Sequence, residues 1–268
     1  MNTVENDSES YVRAFARGLV VINAMGKGGR RKTIAQIAEA IGLPRSVVKR
    51  LLLTLCEQDY AESDGRTFAL TPKVLSLGLS YLYTQPYWPI AQPALEDLRS
   101  EVGESCSMGV LHGTDIVYVL RIPSRRILAM NLNIGSRLPA HVVSIGRVLL
   151  ASLSELDWRE YASAAAPRDA GRKVGKWASE LRSQLDRVEQ EGYAWVDGAL
   201  DPAIAGIAVP VRDAAGKVIA AINVSLIAGT CDEAEAVRHF LVPLRRAAEQ
   251  IRAAMPWEAP ETRAVRSR

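Results

Sequence analysis

Four polar side chains between residues 45 and 50 have types and spacing suited to binding a nucleic acid. They are Arg45, Ser46, Lys49 and Arg50. Guanidinium and ammonium groups pair with phosphates and with guanine edges in the major groove of DNA. The apolar residues of the same segment repeat at helical spacing and define the opposite face: Val47, Leu51, Leu52 and Leu55. A helical hairpin with a solvated basic face has the same pattern, so both interpretations stay open at this point.

The residues just before this segment predict a first helix and a tight turn. The apolar side chains of that helix form one stripe: Ile34, Ile37, Ala38 and Ile41. Gly42 is suited to ending the helix, because glycine accepts the left-handed backbone of a helix end. Pro44 is suited to the first turn of the next helix, where a missing N–H is tolerated. Two helices joined this closely predict a helix-turn-helix, whose second helix can enter a DNA groove.

A short hairpin is predicted directly after the second helix. Residues 60–63 are strand-like, Asp64-Gly65 is a strong hairpin-turn signal, and residues 66–70 alternate between polar and apolar side chains. The hairpin extends the motif to a winged helix-turn-helix. We expect Arg66 at its tip to contact a phosphate or the minor groove of double-stranded DNA.

The basic charge of the chain is concentrated in this same region. The whole chain has 33 Lys and Arg against 30 Asp and Glu, whereas residues 13–73 contain eleven cations and five anions. The first twelve residues are acidic, and the remainder is balanced. One basic segment in an otherwise neutral chain is typical of a DNA-binding domain attached to something else.

Composition and cysteine usage favour a cytoplasmic protein with no membrane association. The first ten residues are polar and acidic, so we expect no secretory signal. The apolar stretch over residues 218–229 is interrupted by Asn223 and Ser225 and is shorter than the ~20 residues of a membrane-spanning helix. Three cysteines, far apart and odd in number, indicate reduced thiols.

The chain is long enough for two domains. A helix is predicted over 11–25, and we expect its Phe15, Leu19 and Ile22 to pack against the winged motif. A second helix is predicted over 72–84, with Thr71 as its N-cap, and we expect it to link the two domains. Strands in hairpins with helices beside them then indicate an α+β fold rather than a Rossmann sheet. The predicted strands are 105–111, 115–121, 126–134, 193–196, 204–212 and 218–227, and the last helix is 233–255.

Several stretches of the sequence resemble the IclR family of transcriptional regulators, along essentially the whole chain. Besides the winged motif, they are 15–22, 70–78, 135–151, 207–211 and 216–225. The run Gly-Arg-Val-Leu-Leu-Ala at 146–151 is specific for that family. The runs at 14–19, 103–107 and 115–119 are similar to the branch that controls aromatic-acid catabolism through the β-ketoadipate pathway, with protocatechuate and 4-hydroxybenzoate among its substrates.

The resemblance implies an organisation and a set of partners. It implies a winged helix-turn-helix domain over 11–71, a linker helix over 72–85, a GAF-like effector-binding domain with an antiparallel sheet over 86–256, and a disordered tail over 257–268. It also implies a small carboxylate effector, homodimers paired into tetramers, a pseudo-palindromic operator and no cofactor.

An effector site can be sought from the residues of the second domain. Ser144, Ile145 and Gly146 begin a short helix whose free N–H groups attract a carboxylate. Asn223 and Ser225 share one strand face. Ile204 and Gly206 are candidates by their match to the family. Arg137 and His141 could pair with a carboxylate. Four further residues could form an apolar wall: Cys106, Met108, Met130 and Leu132. Equally, Asn223 and Ser225 could face solvent, and His141 could be a surface loop residue.

The chain departs from the family pattern at two positions. Leu200 stands where an acid is usual, and Ala205 where an arginine is frequent. This favours a more apolar ligand, or one held instead by Arg125, Arg126 or Arg137.

Other chemistry is weakly supported. The stretch 27–33 resembles a phosphate-binding loop but has Arg31 in place of the glycine before the lysine, and no predicted strand precedes it. The three histidines and three cysteines lack the spacing of a metal site, and no nucleophile–base pair is found.

We therefore expect a ligand-responsive DNA-binding regulator of a catabolic operon, and we expect its effector to be a small aromatic or dicarboxylic acid. The alternatives are a ligand-independent DNA-binding regulator and an enzyme with a dimerising helix-turn-helix.

Overall fold

The computed structural model describes residues 11–124, 132–166 and 174–254, which form two compact units. The first unit ends at Thr84 and the second begins at Gln85. Within these residues, no helix combines the length and the apolar character needed to cross a membrane.

The first unit contains a helix-turn-helix followed by a two-stranded wing. Its elements are α1 (Arg13–Met25), α2 (Ile34–Ile41), α3 (Arg45–Glu57), β1 (Ala61–Ser63), β2 (Phe68–Leu70), a 3-10 turn (Pro72–Val74) and α4 (Leu75–Tyr83). Thr33 and Gln36 form a reciprocal capping box at the start of α2, and Gly42 ends that helix with a φ of 68°. These local signals fix the tight turn between α2 and α3.

The core of the first unit differs from the predicted one in two helices. In α1, Val21 and Met25 are buried, whereas Phe15 is 69% exposed and Leu19 is 44% exposed. In α3, Val48 is fully buried and Val47 only partly. Both helices carry more apolar surface than one contact needs, and the packing of the three helices decides which stripe is buried.

Two local predictions around the wing were also wrong. The turn between β1 and β2 has four residues, because Ser63 pairs with Phe68, so Arg66 lies in the loop rather than in a strand. The Thr71 side chain does not cap the following helix; its hydroxyl donates to the Asp59 carbonyl instead.

The second unit is an α+β fold built on a six-stranded sheet, as predicted. Its helices are α5 (Trp88–Val102), α6 (Ser144–Ala151), α7 (Glu155–Ala165), α8 (Val174–Glu191), α9 (Glu233–Ala236) and α10 (Val242–Ala253). Its strands are β3 (Ser105–His112), β4 (Asp115–Ile122), β5 (Arg137–Pro139), β6 (Ala194–Asp197), β7 (Ile204–Arg212) and β8 (Val218–Ile227). The order is β5-β4-β3-β8-β7-β6, and every neighbouring pair is antiparallel.

Two predicted elements of this unit need correction. Residues 132–134 are not a strand; the edge strand is β5, and positions 126–131 of the predicted strand lie outside the described residues, as does the predicted tail. The last helix is not continuous, because a π-helical turn over Val237–Leu241 separates α9 from α10. Pro243 follows that turn, and a proline lacks the N–H that a regular helix would use there.

Alternation along the strands divides the sheet into two faces. Ser107, Gly109 and Gly206 point toward α6, where glycine leaves room for Ile145 and Ser144. Cys106, Met108 and Ile222 point to the other side and are fully buried, on the side where α5 and α10 pack against the sheet. The α6 face is the one with polar side chains in its interior.

Gly146 lets α6 closely approach the 3-10 turn over Ala140–Val142, which directly follows β5. A Cβ at this position would overlap the backbone carbonyl of Ala140, and that backbone is buried. Glycine is therefore required for packing at this point of α6.

We expect Gly146→Ala to lower the free energy of unfolding by about 2 kcal/mol or more, because the backbone must shift to admit the methyl group. Gly175→Ala is the matched control, since Gly175 also lies in a helix but has open space around it. Alanine there should be neutral or stabilising by up to about 1 kcal/mol. Thermal unfolding of both variants tests this, and equal stabilities would contradict it.

Candidate nucleic-acid interface and ligand pocket

The outer face of α3 presents the predicted polar residues to solvent. Arg45, Ser46, Lys49 and Arg50 are all exposed, and Arg66 is exposed at the wing tip. Within the described ranges, no carboxylate forms an ion pair with any of these four cations. The face is therefore positively charged and available to a polyanion.

The wing is held in shape by a hydrogen-bond cluster around Asp64. One Asp64 carboxylate oxygen accepts from the backbone N–H groups of Arg66 (2.9 Å) and Thr67 (2.6 Å), and the other accepts from the Thr67 hydroxyl (2.6 Å). Arg31 adds contacts to the Thr67 hydroxyl (2.9 Å), Glu62 (3.0 Å) and Asp64 (3.2 Å). These bonds position Arg66 at the tip.

Lys32 has a structural role in the loop after α1. Its ammonium group donates to the carbonyls of Ala24 (2.6 Å), Met25 (3.2 Å) and Lys27, where α1 ends. A cation at a helix C-terminus is favourable because the carbonyls there carry partial negative charge. The backbone of Lys32 pairs with Phe68 of the wing, in bonds of 2.9 and 2.8 Å. Arg31 and Lys32 thus bind the protein itself, and their loop follows a helix rather than a strand.

The second unit contains a recess between α6 and the polar face of its sheet. Its empty volume is about 500 Å³, open solvent at its mouth included. Apolar residues form its walls: Tyr118, Leu132, Leu138, Val142, Val143, Val196, Leu200, Ile204 and Ala205. Its polar lining consists of Arg121, Ser144, Asn223 and Ser225, with Gly206 between them.

Arg121 supplies the positive charge in this lining. It is half-buried on β4, it donates to the Ser107 hydroxyl at 3.2 Å, and its guanidinium lies 5.7 Å from the centre of the Tyr118 ring. Burial lowers the pKa of Arg121 and raises the pKa of Tyr118. A guanidinium in such surroundings gains free energy by pairing with an anion.

Sequence reasoning missed Arg121 because the strand is irregular. Met108 pairs with Leu120 and Gly109 pairs with Tyr118, which leaves Val119 as an extra, bulged residue. The bulge brings Tyr118 and Arg121 to the same face, although strict alternation would separate them. A lone cation at the end of a predicted apolar strand was the available signal.

The neighbouring strands contribute hydroxyl and amide groups. Arg121 on β4, Ser107 on β3 and Asn223 on β8 lie side by side in one row across the sheet. Ser105 on β3, Ser225 on β8 and Gly206 on β7 form a second row. Asn223 is 5% exposed and donates from Nδ2 to the Ser225 hydroxyl at 3.1 Å. The two residues line the recess rather than facing solvent.

Five of the predicted effector residues lie in the lining, namely Ser144, Ile204, Gly206, Asn223 and Ser225, and so does Leu132. Ile145 and Gly146 lie next to Ser144 but are used in packing, against Gly109 and Ala140. Cys106 and Met108 are on the opposite face of the sheet. Met130, Arg125 and Arg126 lie outside the described residues.

Arg137 and His141 do not line the recess. Arg137 forms an ion pair with Asp115 at 3.1 Å and donates to the His112 carbonyl at 3.1 Å, on the exposed side of β5. His141 Nδ1 lies 3.2 Å from the Tyr161 hydroxyl. Burial and then the nearby Arg147 lower the pKa of His141, which disfavours its charged form. Their closeness in sequence to α6 made both look like ligand contacts.

A winged helix-turn-helix with a free basic face, followed by a unit with an internal pocket, is the architecture of a DNA-binding transcriptional regulator. Residues 14–65 match the IclR helix-turn-helix domain, and residues 80–253 match the family described as bacterial transcriptional regulator IclR C-terminal. The chain belongs to the IclR family of bacterial transcriptional regulators, as the sequence motifs indicate.

Relatives of known role span nearly the same length. The chain is 38% identical to the Pca regulon regulatory protein of Pseudomonas putida, over 90% of this chain and 83% of the relative. It is 30% identical to the p-hydroxybenzoate hydroxylase transcriptional activator of Acinetobacter baylyi, over 91% of this chain and 92% of the relative. The resemblance to the aromatic-acid branch of the family is thereby confirmed.

Solved structures have the same fold. A transcriptional regulator from Rhodococcus sp. RHA1 aligns with a TM-score of 0.79 at 36% identity, covering 91% of this chain and 98% of the other. An IclR homolog from Microbacterium hydrocarbonoxydans, solved in complex with 4-hydroxybenzoate, aligns with a TM-score of 0.75 at 23% identity. The alignment covers 90% of this chain and 98% of the homolog.

The wing should loosen when the Asp64 carboxylate is removed. Hydrogen bonds from Thr67 hold the pKa of Asp64 well below its usual range, so the ionised carboxylate stabilises the wing at neutral pH. This contribution is lost as the pH falls below about 4, the unfolded value, toward the lowered folded pKa. We expect Asp64→Ala to speed hydrogen exchange of the Thr67 amide at pH 7.

Asp59→Asn is the matched control, because it removes an equal charge from a carboxylate whose ion pair with Lys73 is long, at 3.9 Å. Asparagine also tolerates the positive φ of 60° at that position. The same exchange rate at Thr67 in both variants would contradict the role of Asp64.

Proposed function

We propose that α3 enters the major groove of an operator and that the wing contacts its flank. Arg45, Ser46, Lys49 and Arg50 would contact phosphates and base edges, and Arg66 would contact the backbone or minor groove. The exposure and lack of ion pairs of these cations among the described residues support this assignment. A regulator of this kind acts in the cytoplasm, where the chromosome lies.

We propose that the recess of the second unit binds a small aromatic carboxylate as effector. A half-buried guanidinium beside hydroxyl and amide groups suits a carboxylate, and the apolar walls suit a ring. The names of the Pseudomonas putida and Acinetobacter baylyi relatives refer to the Pca regulon and to p-hydroxybenzoate hydroxylase, which agrees with that class. Arg121 at the polar end of an apolar recess is the observation that carries this proposal.

We also propose that the first unit dimerises on a pseudo-palindromic operator, with pairing into tetramers as the further step that the family resemblance implies. Exposed large apolar side chains occur on α1, on α4 and at the residue before α1: Val12, Phe15, Leu19, Leu75, Leu77, Leu79, Tyr81 and Tyr83. Apolar patches of this kind mark interaction surfaces. A two-fold dimer would present two α3 helices to half-sites one or more helical turns apart.

The DNA-binding role of α3 is tested by Arg50→Ala. We expect affinity for a duplex selected from genomic DNA by the wild-type protein to fall by about 1–3 kcal/mol, because a groove contact is lost. Arg159→Ala is the control: it removes one exposed positive charge from α7, where Arg159 pairs with Glu155. Fluorescence anisotropy measures both, and wild-type affinity of folded Arg50→Ala protein would contradict the assignment.

The effector role of Arg121 is tested by Arg121→Met, which keeps an unbranched side chain and removes the charge. We expect the affinity for 4-hydroxybenzoate, measured by calorimetry, to fall by about 1.5–3 kcal/mol, the value of a charged hydrogen bond. Arg137→Met is the control, since Arg137 lies outside the recess. Loss of binding in Arg137→Met but not in Arg121→Met would place the effector elsewhere.

A further inference from the structure

One apolar side chain lies among the cations on the outer face of α3. Leu53 is 52% exposed, and it follows Lys49 by four residues and Arg50 by three. Residues at these separations are neighbours on one face of a helix. A helical side chain also leans toward the N-terminus of its helix, so the side chain of Leu53 lies over the turn that contains Lys49 and Arg50. Leu53 is therefore part of the surface that the proposed function assigns to DNA.

The surroundings of Leu53 restrict the kind of partner that can bury it. Burial against an apolar protein surface would also remove Lys49 and Arg50 from water, which is unfavourable without compensating anions. The major groove of DNA meets both requirements, because it offers phosphates and guanine edges to the cations and the C5-methyl group of thymine to an apolar side chain. The chemistry of this face therefore fits a duplex better than a protein.

The spacing of the exposed residues along α3 fits a row of base contacts. The row occupies positions i, i+3, i+4 and i+7 of the helix and consists of Ser46, Lys49, Arg50 and Leu53. The recognition helix of homeodomains reads the major groove with side chains at this same spacing. Glu57, one turn beyond Leu53, is exposed, and phosphates would repel its carboxylate. The row that faces DNA therefore ends at Leu53.

We propose that Leu53 contacts the C5-methyl group of a thymine in each operator half-site and so determines part of the sequence specificity of the protein. This rests on the proposed function, in which α3 enters the major groove. Phosphate contacts carry no sequence information, whereas a methyl group in the major groove distinguishes thymine from the other unmodified bases. Leu53 therefore adds discrimination between operator sequences rather than general affinity for DNA.

The test replaces thymine by uracil, which removes the methyl group and leaves the base pairing unchanged. Thymines of the duplex selected by the wild-type protein are replaced in symmetry-related pairs, one pair at a time, and fluorescence anisotropy with the full-length protein measures the affinity. We expect one pair of replacements to weaken binding by about 4-fold for each methyl group removed, the effect of burying one such group. A selected duplex in which no replacement weakens binding would overturn the proposal.

Two variants locate the effect at Leu53. In Leu53→Ser, which replaces the apolar side chain by a short polar one, the ratio of affinities for the thymine and uracil duplexes should fall to about 1. Leu156→Ser is the matched control, since Leu156 is 76% exposed on α7 of the second unit, and this variant should keep the wild-type ratio. A wild-type ratio in folded Leu53→Ser protein would assign the methyl contact to another residue and refute the role of Leu53.

Failure of the proposed function has a separate signature. If Arg50→Ala and Leu53→Ser both bind the selected duplex as the wild type does, α3 is not the helix in the groove. If Arg50→Ala weakens binding but Leu53→Ser keeps the wild-type ratio, only the role of Leu53 is wrong. If Leu53→Ser also converts dimers to monomers in analytical ultracentrifugation while that ratio persists, a second copy of the chain covers Leu53, and the proposal fails.

Discussion

A guanidinium and a primary amide lie in the interior of the second unit, on the one sheet face that is not fully apolar. Removing such groups from water is unfavourable unless each is hydrogen-bonded. Ser107 and Ser225 satisfy part of this requirement, at 3.2 Å from Arg121 and 3.1 Å from Asn223. Arg121 and Asn223 both line the recess, and the charge of Arg121 is left without a carboxylate partner among the described residues, so a ligand there can complete the polar lining.

The cations of the first unit have two different roles. Arg31 and Lys32 bind the wing and the end of α1, so their charge contributes to the shape of the unit. Arg50 and Arg66 are exposed and form no ion pair within the described part of the chain. The net charge of the segment therefore overstates the positive charge that is available to DNA. The available cations are those on the surface of α3 and at the wing tip.

How much could be predicted depended on whether the signal was local. The helix-turn-helix was predictable because Gly42 and the Thr33 cap act within one turn of the chain. The buried stripe of α1 was not, since two apolar stripes were available and packing between helices selected Val21 and Met25. In the pocket, strand alternation placed Asn223 and Ser225 on one face, and the resemblance to the family favoured the pocket over solvent for that face. Arg121 was hidden by the bulge at Val119, which depends on the pairing of β4 with β3.

The central claim is that occupancy of the recess changes the affinity of the first unit for DNA, which thermodynamic linkage makes reciprocal. The most direct measurement is the affinity of the full-length protein for its selected duplex with and without saturating 4-hydroxybenzoate, together with the affinity for 4-hydroxybenzoate with and without that duplex. The account predicts that both affinities change by the same factor, about 5- to 150-fold. If ligand binds tightly and neither affinity changes, the recess does not regulate DNA binding.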